Sequence, residues 1–423
     1  HLICIEYLCV MKFSDYHINE DIKYNLEQLG FKKPTDIQFK SIPPILRGED
    51  VLAIAQTGTG KTAAFAIPII HKIHQEKASK RTDFIKCIVM VPTHELALQV
   101  HEVFEKIAQK TRVKTLCIFG GVEQEAQIQS LYKGIDIVIA TPGRMFDLQH
   151  QGALDLSKIE ILVLDEADHM LDLGFIKDIR DMQRFLPKHR QTLFFSATIN
   201  ETIKKLAYSL VSNAIRIQIS PKDPVSKNVQ HAVAFIGMDD KRFFLERILN
   251  EHADKKVLVF VRTKVRAERV AKAMERANIQ TLTMHSDKEH KERLHVLDAF
   301  KKGKTKVLIA TDINARGIDI PNVDYVINYD LPDEPENYVH RVGRTGRGDK
   351  KGQAISFCSQ EEKGTLKTIE SFLTKPIHVL DIEKNDYMET IEFANDTMQT
   401  ESLQDLLKEV ETFENQRKNK KKK

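Results

Sequence analysis

Three carboxylates close an apolar run in LVLDEADHML (162–171), where Asp165, Glu166 and Asp168 stand within four positions of one another. Burying such a cluster unpaired would cost several kcal/mol per charge. Either the acids line a solvated turn after a strand, or they face something positive, a metal ion or a metal–phosphate complex. A second stretch bears on the choice. The apolar VLAIA (51–55) runs into QTGTGKT (56–62) and then into the helical AAFAIPIIHKI. A glycine-rich turn between strand and helix exposes the backbone N–H groups of Thr57, Gly58, Thr59 and Gly60, and the helix N-terminus adds partial positive charge. Such a turn cradles phosphates, with Lys61 reaching the β- and γ-phosphates and Thr62 offering its hydroxyl to Mg²⁺. The first glycine of the usual pattern is missing, since Ala55 stands there. A carboxylate at the end of a second parallel strand then holds the metal through its waters. Asp165 fits that role. Glu166 is placed to polarise the water that attacks the γ-phosphate, and Asp168 reads as a link to other loops.

A third constellation lies in YVHRVGRTGRG (338–348), with His340 followed by Arg341, Arg344 and Arg347 at a spacing of three. Three arginines facing one way call for an anion, although a simple surface face has the same spacing. An arginine finger that stabilises a transferring γ-phosphoryl group contributes about 10³–10⁵ in rate. It would also explain a second domain that has no phosphate loop of its own. The comparable first strand of that half ends in VLVFVRTKVRAE without glycine, so one nucleotide is expected.

These residues need strand ends to hold them. Apolar runs at 51–55, 86–91, 115–119, 136–141, 161–165 and 192–197 alternate with amphipathic stretches such as HELALQVHEVFEKIAQK (94–110). Strands apolar on both faces belong to parallel sheets covered by helices. The alternation lapses at SPKDPVSKNVQ (220–230) and resumes with runs at 256–261, 281–285, 306–311, 325–330 and 353–357. The expected architecture is therefore α/β, two tandem doubly wound domains. Their bounds are placed at 11–218 and 229–383, joined by a linker at 219–228. Residues 384–423 form a tail with a short helix in SLQDLLKEVETF and a basic end, RKNKKKK. Residues 1–10, ahead of Met11, are expected to be an extension or artefact without function.

Bulk properties narrow the class. At 423 residues, 42% hydrophobic and with a net charge of +4, the chain has ordinary globular composition, and any nucleic-acid surface must be a local patch. Five scattered cysteines without CxxC spacing point to a reducing, cytoplasmic setting. No apolar run approaches a membrane span.

The ordered set of motifs resembles the DEAD-box ATP-dependent RNA helicases. The residues that carry the resemblance are GFKKPTDIQ (30–38), AQTGTGKT (55–62), PTHELA (92–97), GG (120–121), TPGR (141–144), DEAD (165–168) and SAT (196–198). The second half adds VFVRT (259–263), ATDINARGID (310–319) and HRVGRTGR (340–347). The opening FSDYHINEDIKYNLEQLGFKKPTDIQ is similar to bacterial RhlE-like members. The resemblance implies two RecA-like domains that close around one Mg-ATP and a single strand of RNA. It implies that Gln38 reads the adenine edge, with Phe31 stacking, Phe13 packing behind it and Thr35 supporting the pocket. Ser196, Thr198, Asp168 and His340 would couple ATP binding to closure. Asp319 would meet the ribose, and Arg344 and Arg347 the γ-phosphate transition state. The RNA backbone would lie across Pro92, Thr93, His94, Gly121, Thr141, Pro142, Gly143, Arg144, Arg262, Thr263, Thr311 and Asp312. Contacts to phosphate and 2′-OH carry little sequence information, so binding should be sequence-tolerant.

Three residues depart from the family pattern: His94 for the arginine of PTRELA, His290 where glutamine is usual, and Asn314 for a small residue. All three fall at or near the expected RNA track. Two other activities fit the same motifs: an ATP-gated RNA clamp whose hydrolysis only times release, and a DNA translocase.

Overall fold

The computed structural model describes residues 11–56, 58–79, 84–219, 225, 228–312, 323–346 and 351–392, with the backbone alone at Ser79 and His290. Several expectations therefore lie outside the described residues. They concern residues 1–10, Thr57, most of the 219–228 linker, Asn314, Asp319, Arg347, the SLQDLLKEVETF segment and the basic end. The chain divides into two compact units, one on either side of the polar stretch near residue 222.

The first unit is built on seven parallel strands: β1 (Val51–Ile54), β2 (Cys87–Met90), β3 (Thr115–Ile118), β4 (Ile137–Ala140), β5 (Ile161–Leu164), β6 (Gln191–Ser196) and β7 (Ile215–Gln218). Their order is β3-β4-β2-β5-β6-β1-β7. Successive side chains of a strand point to opposite faces, and the core divides accordingly. Val51 and Ala53 pack with Phe65, Phe104 and Phe195 on one face. Leu52 and Ile54 pack with Met145, Phe194 and Ile203 on the other. This two-sided burial is why β1, β2, β4 and β5 read as unbroken apolar runs.

The second unit has strands β8 (Val229–Phe235), β9 (Val257–Phe260), β10 (Thr281–Met284), β11 (Val307–Ala310), β12 (Tyr325–Asn328), β13 (Gly352–Cys358) and β14 (His378–Leu380). Their order is β10-β11-β9-β12-β13-β8-β14. Counted from its own first strand, this is the order of the first sheet. The two units are thus repeats of one topology, and VLVFV forms the second strand of its sheet, not the first as the sequence suggested. The true counterpart of β1 is β8, VQHAVAF, where Gln230 is exposed and His231 half-exposed, so the apolar run is broken. The conclusion that this half lacks a glycine-rich phosphate loop stands, because β8 leads through Ile236–Asp240 into the Lys241–Glu251 helix.

Strands β7 and β14 also escaped the sequence reading. Both lie at sheet edges with mostly exposed side chains, and an edge strand needs no continuous apolar run. Of the three described cysteines, Cys87 and Cys358 are buried and Cys117 half-buried, and all are free thiols. Burial pushes Cys117 up to about 12 and Cys358 up to about 11, so they pack as small hydrophobes. Among the described residues no helix is long and apolar enough to cross a membrane.

Candidate functional site

β1 leads into the glycine turn, and the Lys61–Ser79 helix begins at the lysine expected to meet phosphate. Gly58 and Gly60 take φ values of +82° and +91°, a region open to glycine at no steric cost. Gly60 is doubly required. A Cβ there would lie 2.5 Å from Gln38 Nε2 and 3.3 Å from Thr35 Oγ1. Gln38 Nε2 donates to Gly60 O at 3.1 Å, while its Oε1 accepts from Thr35 N at 2.9 Å as part of a capping box. Gln38 therefore braces the phosphate loop and keeps one amide N–H for a further acceptor. Phe13, buried, meets Phe31 edge-on with ring centroids 5.9 Å apart, so the two rings expected at the adenine are in contact.

Lys61 is 6% exposed, and its Nζ has no hydrogen-bond partner. It lies 4.0 Å from Oδ1 of Asp165, which follows β5 and is 2% exposed. Burial pushes the Asp165 carboxyl up to about 6; Lys61 pulls it down and Glu166 pushes it up further. Glu166 takes a left-handed backbone, φ +53° and ψ +49°, at the start of the Ala167–Asp172 helix. For a residue with a Cβ this costs of order 1 kcal/mol. The turn separates three neighbouring acids into three directions. Glu166 Oε2 lies 3.6 Å from Nδ1 of buried His169. Asp168 Oδ2 accepts from Ala197 N at 3.1 Å, Thr198 N at 3.0 Å and Thr198 Oγ1 at 3.2 Å. Ser196 Oγ donates to Thr198 O at 2.8 Å. The DEAD and SAT segments are thus joined by three hydrogen bonds to a single oxygen.

The repeat in topology explains the pairing of the residues expected on the RNA track. Thr93, after β2, caps its helix by accepting from Leu96 N at 3.2 Å; Thr263, after β9, does the same with Arg266 N at 3.2 Å. Thr141, after β4, donates its N–H to Ile118 O at 3.2 Å; Thr311, after β11, donates to Met284 O at 3.2 Å. Each unit therefore places two threonines at the same two strand ends. Pro142 opens the helix after Thr141, and Gly143 beside it has open space where a Cβ would stand. Arg144 Nη2 donates to Val122 O at 3.0 Å, next to Gly121 with its φ of +74°. Its buried Nε and Nη1 have no hydrogen-bond partner. The His94 ring packs on Phe119, centroids 5.3 Å apart.

The second unit repeats the lysine position but closes it. Lys241 opens the helix after β8 as Lys61 does after β1, and is fully buried. Its Nζ donates to Tyr329 O at 2.7 Å and to Glu362 Oε2 at 2.5 Å, with Asp330 Oδ1 at 3.7 Å. A protein carboxylate thus pairs with this lysine inside the unit. Glu362 Oε1 also accepts from Leu331 N at 3.2 Å and from Arg262 Nη2 at 3.3 Å. Nothing in the sequence signals this network, whose members lie far apart in the chain.

The expectation of three arginines facing one way is corrected for Arg341. The helix that carries it ends at Val342, so a spacing of three beyond that point no longer sets a common face. Arg341 is buried, closing two bonds on Asp312 at 2.5 and 2.7 Å and donating to Asp330 O at 2.7 Å. Its anion is internal. Arg344, in the turn that follows, is buried and donates from Nε to His340 O at 3.1 Å; His340 is half-exposed.

Comparison with known proteins agrees with this geometry. A DEAD/DEAH box helicase family model matches residues 35–206, and a helicase conserved C-terminal domain model matches residues 240–349. The chain is 38% identical over 407 residues to the ATP-dependent RNA helicase CshA of Listeria monocytogenes, covering 96% of this chain and 77% of that protein. It is 36% identical over 403 residues to the DEAD-box ATP-dependent RNA helicase RhpA of Helicobacter pylori, covering 95% and 81%. Among solved structures it is similar to Dbp5 of S. cerevisiae bound to RNA and ADP BeF3, with TM-score 0.79, 30% identity, and 91% and 99% of the two chains covered. Two repeats of one sheet, a phosphate loop in the first alone and this likeness along nearly the whole chain lead to one conclusion: the protein belongs to the DEAD-box family of ATP-dependent RNA helicases.

Proposed function

We propose that the first unit binds one ATP with Mg²⁺, and that hydrolysis drives local separation of short RNA duplexes or remodelling of RNA–protein complexes. The observation that carries the reading is the buried Lys61 ammonium, without a hydrogen-bond partner and 4.0 Å from buried Asp165. An isolated buried cation is costly, and the β- and γ-phosphates would complete it. Asp165, raised by burial to about 6, would be held ionised by a nearby cation. The donor set fits Mg²⁺, with Asp165 and the half-buried Thr62 at its shell; Mg²⁺ usually keeps several waters beside one or two carboxylates and substrate phosphates. When bound it supplies neutralisation of charge on the phosphate oxygens.

The protein groups do the rest. Gly58, Thr59 and Gly60 orient the phosphates through backbone N–H groups, with Thr57 in the same turn. Gln38, Phe31, Phe13 and Thr35 fix the adenine, and Asp319 the ribose. Glu166 orients the attacking water and takes its proton. Arg344 and Arg347, with His340 beside them, stabilise charge on the γ-phosphoryl group as it passes to water and ADP departs. Asp168, through its bonds to Ala197 and Thr198, transmits the nucleotide state to the SAT segment.

The RNA backbone crosses the strand-end threonines Thr93, Thr141, Thr263 and Thr311, with Pro92, His94, Gly121, Pro142, Gly143, Arg144 and Arg262 beside them. The unpartnered N–H groups of Arg144 support a phosphate there. Asp312, spent largely on Arg341, keeps lone pairs for a 2′-OH. We further propose a cytoplasmic setting and a kinship with bacterial RhlE-like members. ATPase activity measured with RNA and with DNA of the same sequence tests the reading. Stimulation by RNA alone is expected, and equal stimulation by DNA would overturn it.

A further inference from the structure

The second unit carries a groove of about 560 Å³ between the Lys241–Glu251 helix and the Lys264–Arg276 helix. No motif of the family resemblance accounts for its basic flank. It is lined by Arg242, Arg266, Arg269, Lys272 and Arg276, with Asp239 as its acid. The Lys264–Arg276 helix carries five basic residues against two acids. Arg269, Lys272 and Arg276 fall at spacings of three and four, on one flank, and are exposed. Glu268 and Glu275, seven residues apart, border that flank beside Lys272, and Glu268 accepts from Thr283 Oγ1 and pairs with His285 Nε2 at 2.8 Å each. Like charges one turn apart destabilise a helix by a few tenths of a kcal/mol per pair. Glu268 and Glu275, four and three residues from Lys272, relieve that lysine, while Arg269 and Arg276 have no acid three or four residues away on this helix. On the facing helix Arg242 stacks over Phe243 at 4.4 Å, and its buried Nε has no hydrogen-bond partner. Arg266 is already engaged by Asp330 Oδ2 at 3.0 Å and anchors the groove wall.

Thr263, which also lines the groove, is the N-cap of the basic helix and a residue of the RNA track proposed above. From Arg266 to Arg276 the helix advances about 15 Å. We propose that this groove is an auxiliary RNA site. It takes the phosphate backbone of the strand as it continues beyond Thr263, with Arg242, Arg269, Lys272 and Arg276 as its cations. RNA is favoured over an acidic peptide because the groove is continuous with the track at Thr263. The side chains on its basic flank are also long, flexible phosphate binders set along a line. The site adds affinity without touching the nucleotide, and it favours substrates longer than the motif track itself.

This inference rests on the reading of Thr263 as an RNA contact, and the experiment separates the two. The full chain and the triple variant Arg269→Gln, Lys272→Gln, Arg276→Gln are titrated with a short RNA that spans only the motif track and with a longer RNA. Each titration is repeated over a range of salt. The variant is expected to bind the short RNA as the parent does and the long RNA more weakly. Its log–log salt slope on the long RNA should be shallower by about 2, from about 0.7 per lost phosphate contact. Its ATPase rate at saturating RNA should be unchanged. Equal affinity and slope for the long RNA would overturn the auxiliary site. Tighter binding in the variant would overturn it as well, and would make an acidic segment the groove's occupant. If the parent itself fails to bind the short RNA, or binds it regardless of Arg262→Ala, the reading of the track fails instead.

Discussion

Lys61 Nζ and Asp165 Oδ1 stand 4.0 Å apart, both sealed from solvent, and the ammonium has no hydrogen-bond partner. Among the described residues, Asp165 takes a single neighbouring N–H, that of Glu166 at 3.0 Å. The pair is therefore set for an incoming group, at a cost to the free protein. Asp165→Asn should abolish ATP hydrolysis yet stabilise the nucleotide-free protein at neutral pH. Burial outweighs the attraction of Lys61 and holds the carboxyl up at about 6, so that ionising it costs more than the pair with Lys61 returns. A gain on the order of 1 kcal/mol corresponds to about 2–4 °C in Tm for a domain of this size. Thermal unfolding without nucleotide checks it; a lower Tm would show the carboxylate to be structural.

Glu166→Gln keeps size and hydrogen bonding but removes the base. Hydrolysis should fall by about 10²–10⁴, while ATP and RNA still bind and accumulate as a stable ternary complex. Single-turnover hydrolysis alongside RNA retention decides this. Turnover at the parent rate would remove Glu166 from the chemistry.

Asp168→Ala would strand the N–H groups of Ala197 and Thr198, at about 1–3 kcal/mol for an unmet partner. ATP affinity should change little, whereas the stimulation of ATPase by RNA should largely disappear. Basal and RNA-stimulated rates measured on one preparation separate coupling from binding. An undiminished ratio would leave the three hydrogen bonds as scaffolding.

Glu362→Gln should destabilise the second unit by about 3–5 kcal/mol, because it leaves Lys241 buried beside a neutral amide. Adding Lys241→Met should recover much of the loss, since paired removal of a buried ion pair is often close to neutral. Denaturant unfolding of parent, single and double variants gives the coupling. Additive losses would show that Glu362 and Lys241 do not act as a pair.

His94→Arg is expected to tighten RNA binding by about 1 kcal/mol, near the net worth of a charge-assisted hydrogen bond, with ATP affinity unmoved. The longer side chain would have to leave the Phe119 ring that His94 now covers. Weaker RNA binding would show that this packing outweighs the added charge.

What the sequence made legible follows from local chemistry. Strands buried on both faces announce themselves as apolar runs, so β1, β2, β4 and β5 were placed within a residue at each end. The phosphate loop was legible because glycine, lysine and threonine are needed in one short span. Edge strands β7 and β14 were not, since exposure removes the run. Strand β8 was hidden by Gln230 and His231, which shifted the alignment of the two halves and concealed that Lys241 repeats Lys61. The Lys241–Glu362 pair joins positions 121 residues apart, and the inward turn of Arg341 depends on where its helix ends. Neither follows from spacing alone.

The central claim is that ATP turnover here separates RNA strands, as opposed to merely timing release from a clamp. It is tested most directly by following a short labelled RNA duplex mixed with the full chain and Mg-ATP. The account predicts ATP-dependent release of the labelled strand, absent without ATP and lost as repeated turnover in Glu166→Gln. RNA-stimulated hydrolysis with no strand released would contradict it.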